Sequence, residues 1–398
     1  MRILQICHKP PRPSRDGGCR AMDAMTRGLI AAGNQVKVLT IATEKHPWQP
    51  EEVSAEYIAE TNIEAVTLDT ALNPVDAFST ILTGDSYNIS RFYSPDFERL
   101  LTDVLRKQVF DLVIFESLFT APYLKTVRRL CDGFAVLRTH NVEHRIWEQM
   151  AQETGTLTKR LYLKHLAERL RAYEVNALED FDALASISED DTRHFKSLGC
   201  GSPIFSIPFG LDEKELPQPV FGPARFVFHL GSMDWAPNVQ GVQWFVDEVW
   251  PLVRSEVPDV ELQLAGKNFP TVHSFTKPGL TVLGEIENPW DMMSCHAAMI
   301  IPLRSGSGMR IKAIEAMAAG RPIVTTTLGV EGITGTDGVH FFVEDDAFSF
   351  ARRLVELLKN DQLAKDMGSA ARAFVCENFE NNELVTQFLS RLNQSIER

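Results

Sequence analysis

The sequence predicts an α/β protein made of two Rossmann-like, doubly wound domains facing a central cleft. Three observations lead there: the length of the chain, the alternation of short apolar strands with helices in both halves, and glycine-bearing loops that leave strands and open helices. At 398 residues the chain is too long for one ordinary core. It is long enough for two α/β units, each burying its own interior. Short strands alternating with helices mark parallel sheets covered on both faces.

In the first half, Arg2–Cys7 reads as a buried strand. A loop rich in Pro, Arg and Gly follows, then helical spacing over Arg20–Ala32, a stop at Gly33 and the strand Gln35–Ala42. Further strands are expected at Asp111–Phe115, Ala135–Thr139 and Ala183–Ile187. One long helix is expected between Glu143 and Glu179, including Leu161–Leu178. The proline-rich stretch Pro217–Pro223 reads as the linker. The second half repeats the pattern with strands Arg225–Leu230, Val260–Ala265, Leu280–Leu283, Ala298–Ile301 and Pro322–Thr326, and Phe379–Ile396 has the spacing of a terminal amphipathic helix. The expected division is an N-terminal domain over 1–209, a C-terminal domain over 210–380, and a last helix over 381–398 packing back on the first domain.

Composition narrows the function classes. Apolar residues at 44% and charged residues at 23% are ordinary for a globular protein. No apolar run nears the roughly 18 residues of a membrane span, and the start of the chain lacks a signal-peptide pattern. A cytoplasmic protein is expected. Six cysteines, Cys7, Cys19, Cys131, Cys200, Cys295 and Cys376, are scattered without a Cys-x-x-Cys pair. They read as reduced thiols, neither zinc ligands nor a disulfide framework. A formal net charge of −13 argues against a nucleic-acid partner. Carboxylates are plentiful, yet none has metal-site spacing and there is no Asp-x-Asp, so neither a metal nor another cofactor is expected.

The segment richest in chemistry is Pro302-Leu303-Arg304-Ser305-Gly306-Ser307-Gly308-Met309-Arg310-Ile311-Lys312, running into Glu315. A strand gives way to a Gly/Ser loop, and the loop opens a helix bearing two cations. Free backbone N–H groups and the helix dipole attract phosphate there, and glycine lets the backbone approach it. The expected site is a diphosphate cradle of Gly306, Ser307, Gly308 and Met309 with Arg310 and Lys312, and Glu315 within reach of paired ribose hydroxyls. In the first half, Gly17-Gly18 ends the loop before the first helix, flanked by Arg15, Asp16 and Arg20. Thr139-His140-Asn141-Val142-Glu143-His144 follows a strand, where ligand-facing loops leave a parallel sheet. His140 is the first candidate there and His144 the alternative if it is the better exposed. Ser188, in Ser186-Ile187-Ser188-Glu189, reads as a helix cap.

These motifs together resemble glycosyltransferase family 4, the "glycosyl transferases group 1" of GT-B fold, over nearly the whole chain. Glu315-Ala316-Met317-Ala318-Ala319-Gly320-Arg321-Pro322 matches the second half of the family's signature. Ser307 stands where its first glutamate is usual. Gly231-Ser232-Met233-Asp234-Trp235-Ala236-Pro237-Asn238 lacks the customary Arg and Lys, and the resemblance implies that Arg310 and Lys312 supply that charge. It further implies donor contacts at Gly17, Gly18, Gly231, Ser232 and Asn238, a sugar-facing His140, and nucleobase loops at Gly266-Lys267 and Gly284-Glu285. Whether Trp235 and Pro237 are a packed corner or line the site stays open.

The activity implied is retaining transfer of a sugar from a nucleotide-diphosphate sugar to a glycan, lipid-linked or protein acceptor. A GT-B epimerase, an inverting transferase and a non-catalytic nucleotide-sugar-binding protein are the alternatives. The first strand lacks the Gly-x-Gly-x-x-Gly of a nicotinamide site. Arg160, Lys164, Arg169 and Arg171 lie among acids along the long helix, and no strongly basic amphipathic helix stands out. Peripheral contact with the inner face of a membrane stays open.

Overall fold

The apolar runs of the first half line up as seven strands: β1 Arg2–Cys7, β2 Gln35–Ala42, β3 Glu64–Thr67, β4 Leu112–Glu116, β5 Phe134–Arg138, β6 Ala183–Ser186 and β7 Ile204–Ser206. In the computed structural model, which describes residues 1–69, 87–219, 226–269, 275, 277–306 and 308–396, they pair in parallel in the order β3-β2-β1-β4-β5-β6-β7. Successive side chains point to opposite faces, and each face has a core. Leu4, Ile6, Leu39, Ile41, Val113 and Phe115 pack on one side; Ile3, Cys7, Val36, Val38, Leu112 and Ile114 pack on the other. Burial on both faces is why the central strands, such as β4 and β5, are apolar over most of their length.

The second face is covered by the helices Gly17–Ala31 and Asn381–Ile396. Their seam is tight at Gly28, where a Cβ would lie 2.5 Å from Val385 Cγ2. Asn381 Nδ2 donates to the Ala24 carbonyl at 2.8 Å. The chain therefore divides into one unit of Met1–Gly210 with Asn381–Arg398 and a second of Leu211–Glu380. Pro217 lies within the second unit, its carbonyl accepting from Arg372 at 2.9 Å. Of the expected linker, 220–223 lies outside the described residues.

The second unit has strands β8 Phe226–Leu230, β9 Glu261–Ala265, β10 Leu280–Gly284, β11 Ala298–Ile301, β12 Ile323–Thr325 and β13 Phe342–Val343. They too are parallel, in the order β10-β9-β8-β11-β12-β13. In each sheet the strand order reverses beside the first strand, between β1 and β4 and between β8 and β11. At such a switch the loops from two adjacent strands diverge, and a crevice opens at their carboxyl ends.

Two sequence expectations change. The first helix begins at Gly17 rather than Arg20, because the Asp16 carboxylate caps it by accepting from Cys19 N at 2.9 Å. Gly17 and Gly18 are thus its first residues and not the loop before it. The single long helix is two, Glu143–Glu153 and Leu157–Asp180, packed against each other as a hairpin. Thr154 and Thr156 are extended on either side of Gly155. Glycine and β-branched threonine are poor helix formers, and the apolar periodicity on both sides of them masks the break. Ser188 does cap the helix Glu189–Ser197, accepting from Asp191 N. Among the described residues no helix is long and apolar enough to cross a membrane.

Leu392 is fully buried in the seam between the two helices. Leu392→Ala is expected to lower the unfolding free energy by about 2–5 kcal/mol, read from the urea midpoint at unchanged m-value.

Candidate functional site

At the crevice of the second unit, the loop after β8 meets the loop after β11. Gly306 and Gly308 have φ of +101° and +90°, a region open to glycine at little cost. A Cβ on Gly306 would also sit 2.9 Å from the Trp235 ring. Trp235 stacks under the Arg310 guanidinium, 5.0 Å from ring centroid to Cζ. The tryptophan therefore packs against both the glycine loop and the cation. Ser307 lies outside the described residues, while Met309 beside it is buried.

The helix Ile311–Ala318 starts after Arg310 with no side chain capping its N–H groups. Uncapped N–H groups at a helix start are the kind that an anion accepts from. Lys312 Nζ donates to Asn238 Oδ1 at 3.0 Å, and Asn238 Nδ2 donates to the Ser232 carbonyl at 2.9 Å, so one amide ties the lysine to the β8 loop. Burial, and then the charge of Arg310, lower the Lys312 pKa to about 7. Burial lowers Arg310 to about 10, against the pull of Glu331. Glu331 also accepts from Gly308 N at 3.1 Å and so braces the loop. The two cations repel each other, and Glu331 offsets part of the charge of Arg310. Glu315 is 4% exposed on the same helix. Beneath them lies His229, fully buried, with Nδ1 3.1 Å from the Ile300 carbonyl and its basicity lowered by burial and by Lys312.

Gly231 and Gly266, just after β8 and β9, and Gly284, which ends β10, stack at one edge. Gly231 N donates to the Ala265 carbonyl at 2.9 Å, Gly266 N to the Gly284 carbonyl at 2.8 Å, and Met233 N to the Lys267 carbonyl at 2.8 Å. A Cβ on Gly266 would fall 2.0 Å from Gly231 O. Backbone therefore lines this edge. The Lys267 and Glu285 side chains pair with each other at 3.0 Å on the surface, and Ser232 Oγ donates to Asp234 at 2.6 Å.

The first unit has a buried polar cluster at the ends of β1, β4 and β5. Glu116, fully buried, accepts from Gln5 Nε2 at 2.8 Å and Arg138 at 3.1 Å, and its carboxylate lies 2.7 Å from His140 Nε2. Burial would raise the Glu116 pKa, but Arg138 and His140 bring it down to about 2. Burial also lowers the His140 pKa and favours the neutral ring. A neutral ring that donates Nε2–H to this carboxylate keeps Nδ1 as an acceptor. The His8 ring stands edge-on to His140 at 5.8 Å.

His144, the alternative candidate, is only 2% exposed and pairs with Glu174. Glu174 also accepts from the backbone N–H groups of Glu143 and His144, at 3.1 and 3.3 Å. His144 therefore holds the loop in place, and the His140 side chain is the better exposed of the two. Burial and Glu174 push the Glu143 carboxyl up to about 8.

At the first helix, a Cβ on Gly18 would meet Lys9 Nζ at 2.8 Å. Lys9 bridges both Asp16 oxygens at 2.7 and 2.8 Å, and His46 Nε2 lies 2.8 Å from the same carboxylate. Asp16, Cys19 and His46 form the one group among the described residues with the spacing of a metal site. An ammonium already on the carboxylate opposes a second cation there. Arg15 turns away to Gln49 and Glu52.

Sequence reading did not single out Glu116, Glu174, Glu331 or His229. Glu116 had a signal, a lone charge ending an apolar strand. The others become visible only when strands and loops distant in sequence are side by side.

Residues 224–360 match the family model described as Glycosyl transferases group 1. A Klebsiella pneumoniae "Uncharacterized 44.6 kDa protein in cps region" is 24% identical over 298 residues, 71% of this chain and 74% of that one. The Bacillus anthracis N-acetyl-alpha-D-glucosaminyl L-malate synthase is 29% identical over 45% of this chain and 46% of its own. Among solved structures, sucrose-phosphate synthase of Thermosynechococcus elongatus superposes with a TM-score of 0.73 at 15% identity, covering 100% of this chain and 99% of that one. A TarM mutant of S. aureus, solved with Fondaparinux, alpha-GlcNAc-glycerol and UDP, gives 0.70 at 12% identity, covering 98% and 99%. Anabaena HepE, solved with UDP and glucose, gives 0.64 at 12%, over the same shares.

The low Lys312 pKa predicts pH-dependent anion binding. Above about pH 7 the amine is mostly neutral in the free protein. A bound diphosphate favours the ammonium, so binding takes up a proton. Pyrophosphate affinity, measured by calorimetry, is expected to fall as pH rises above 7, by up to about tenfold per unit. Lys312→Arg, which stays charged, is expected to remove that extra fall relative to the parent chain.

Proposed function

We propose that this chain, a glycosyltransferase of GT-B fold whose second unit carries the group 1 family match, moves a sugar from a nucleotide-diphosphate sugar to an acceptor hydroxyl. In this reading it is a family 4 enzyme, retains the anomeric configuration and needs no metal ion. One observation carries the proposal: Arg310 and Lys312 stand together at the open start of the helix Ile311–Ala318, behind the Gly306 and Gly308 turns.

As the bond from the anomeric carbon to the diphosphate breaks, negative charge grows on the leaving phosphate. Arg310, Lys312 and the loop amides stabilise it, the task that a divalent cation performs in metal-dependent transferases. The acceptor hydroxyl attacks from the face the diphosphate leaves, and its proton passes to the departing phosphate oxygen. Glu315 holds the ribose hydroxyls. The stacked backbone at Gly231, Gly266 and Gly284 receives the base, with the side chains of Lys267 and Glu285 at its rim. HepE and TarM, solved with UDP, make UDP-sugars the first donors to screen. A glycan, a lipid-linked sugar or a protein would provide the acceptor.

The Glu116–His140 pair favours a second reading. An imidazole fixed by a buried carboxylate is built to take a proton from a hydroxyl, which suits inversion. The anomeric configuration of the product, read by proton NMR, separates the two. An α-linked donor is expected to give an α-linked product, and a β-linked product would establish inversion.

Arg310→Ala and Lys312→Ala are each expected to lower kcat/KM by about 10²–10³-fold with circular dichroism unchanged. Wild-type turnover in both variants would remove the diphosphate cradle.

A further inference from the structure

The break between the hairpin helices changes the meaning of the charges around it. From Thr154 to Ala167 the sequence holds Lys159, Arg160 and Lys164 and no acidic residue, in a chain whose net charge is −13. The acids that accompany the cations of the second helix begin only at Glu168. The start of that helix is therefore a local basic site on an acidic protein.

It is also apolar where it is exposed. Leu157 is 71% exposed, Leu161 60% and Tyr162 43%. Leu157, Leu161 and Lys164 follow at i, i+4 and i+7, so they share one helix face. Leu163, Leu166, Ala167 and Leu170 are buried on the opposite face. Large exposed leucines next to lysine and arginine, at the tip of a hairpin, have the chemistry of an interfacial helix. The apolar side chains enter the headgroup region and the cations meet its negative surface.

We propose that the first turns of Leu157–Asp180 are a docking surface for an anionic lipid bilayer. The charge decides among occupants. A second copy seated hairpin to hairpin would set the same three cations against these, a like-charge contact that disfavours it. A membrane accounts for both the cations and the exposed leucines. The proposal does not depend on the sugar-transfer reading, since binding is measured without donor or acceptor.

The test is co-sedimentation of the full chain with phosphatidylcholine vesicles, with and without phosphatidylglycerol. Binding is expected on the anionic vesicles at low salt, to weaken as salt is added, and to be absent from phosphatidylcholine alone. Lys159→Glu/Arg160→Glu/Lys164→Glu is expected to lose binding by at least about a hundredfold, on the order of fivefold for each lost cation. Leu157→Asp/Leu161→Asp is expected to leave the pellet as well. All five residues that these variants change, Leu157, Lys159, Arg160, Leu161 and Lys164, are exposed, and unchanged circular dichroism confirms folding. Wild-type protein that stays in the supernatant on anionic vesicles, or variants that pellet like wild type, would overturn the proposal. So would a Leu157→Asp/Leu161→Asp chain that loses self-association in the ultracentrifuge but keeps its vesicle binding, since that assigns the face to a second copy.

Discussion

A parallel sheet covered by helices on both faces leaves room for polar side chains almost only at its ends. That constraint governs both units. Strands such as Leu112–Glu116 are buried over their whole length, so hydrogen-bonding and charged groups collect where the strands stop. The reversal of strand order then selects which ends matter, because adjacent loops diverge there. The glycine loop before Arg310 and the buried Glu116 both follow from this geometry.

The two polar clusters resolve the cost of burial differently. In the first unit Glu116 has opposite charge and hydrogen bonds close by, from Arg138, Gln5 and His140. It stays ionised and orders the groups around it. In the second unit two like charges, Arg310 and Lys312, are held together by Trp235 and Asn238. Lys312 answers by becoming a weaker base.

Particular elements show how far the sequence could be read. The strands beginning at Arg2 and Gln35 lie where apolar runs are bounded by glycine, proline or charge, and helix–strand alternation was enough for the fold class. The hairpin was misread as one helix, since Leu, Ile and Tyr recur on both sides of Gly155 and periodicity cannot register three residues of lost helix. The start of the first helix was displaced because Asp16 as a cap outweighs the low helix propensity of Gly17 and Gly18. Of the site, Gly306, Gly308, Arg310 and Lys312 were legible because they are contiguous. Trp235 could not be assigned from sequence, since its contacts are with Gly306 and Arg310, some seventy residues away.

What the sequence determined by itself was everything carried by local spacing: the α/β class, the strand positions, and a cationic glycine loop opening a helix. What only the tertiary structure decided was which charges meet. Asn238 reaches Lys312, Glu331 reaches Gly308 and Glu116 reaches His140 because strands and loops far apart in sequence become neighbours. An ionisable group's state is set by burial and by the charges within a few ångströms of it. Neither quantity exists until the chain has folded.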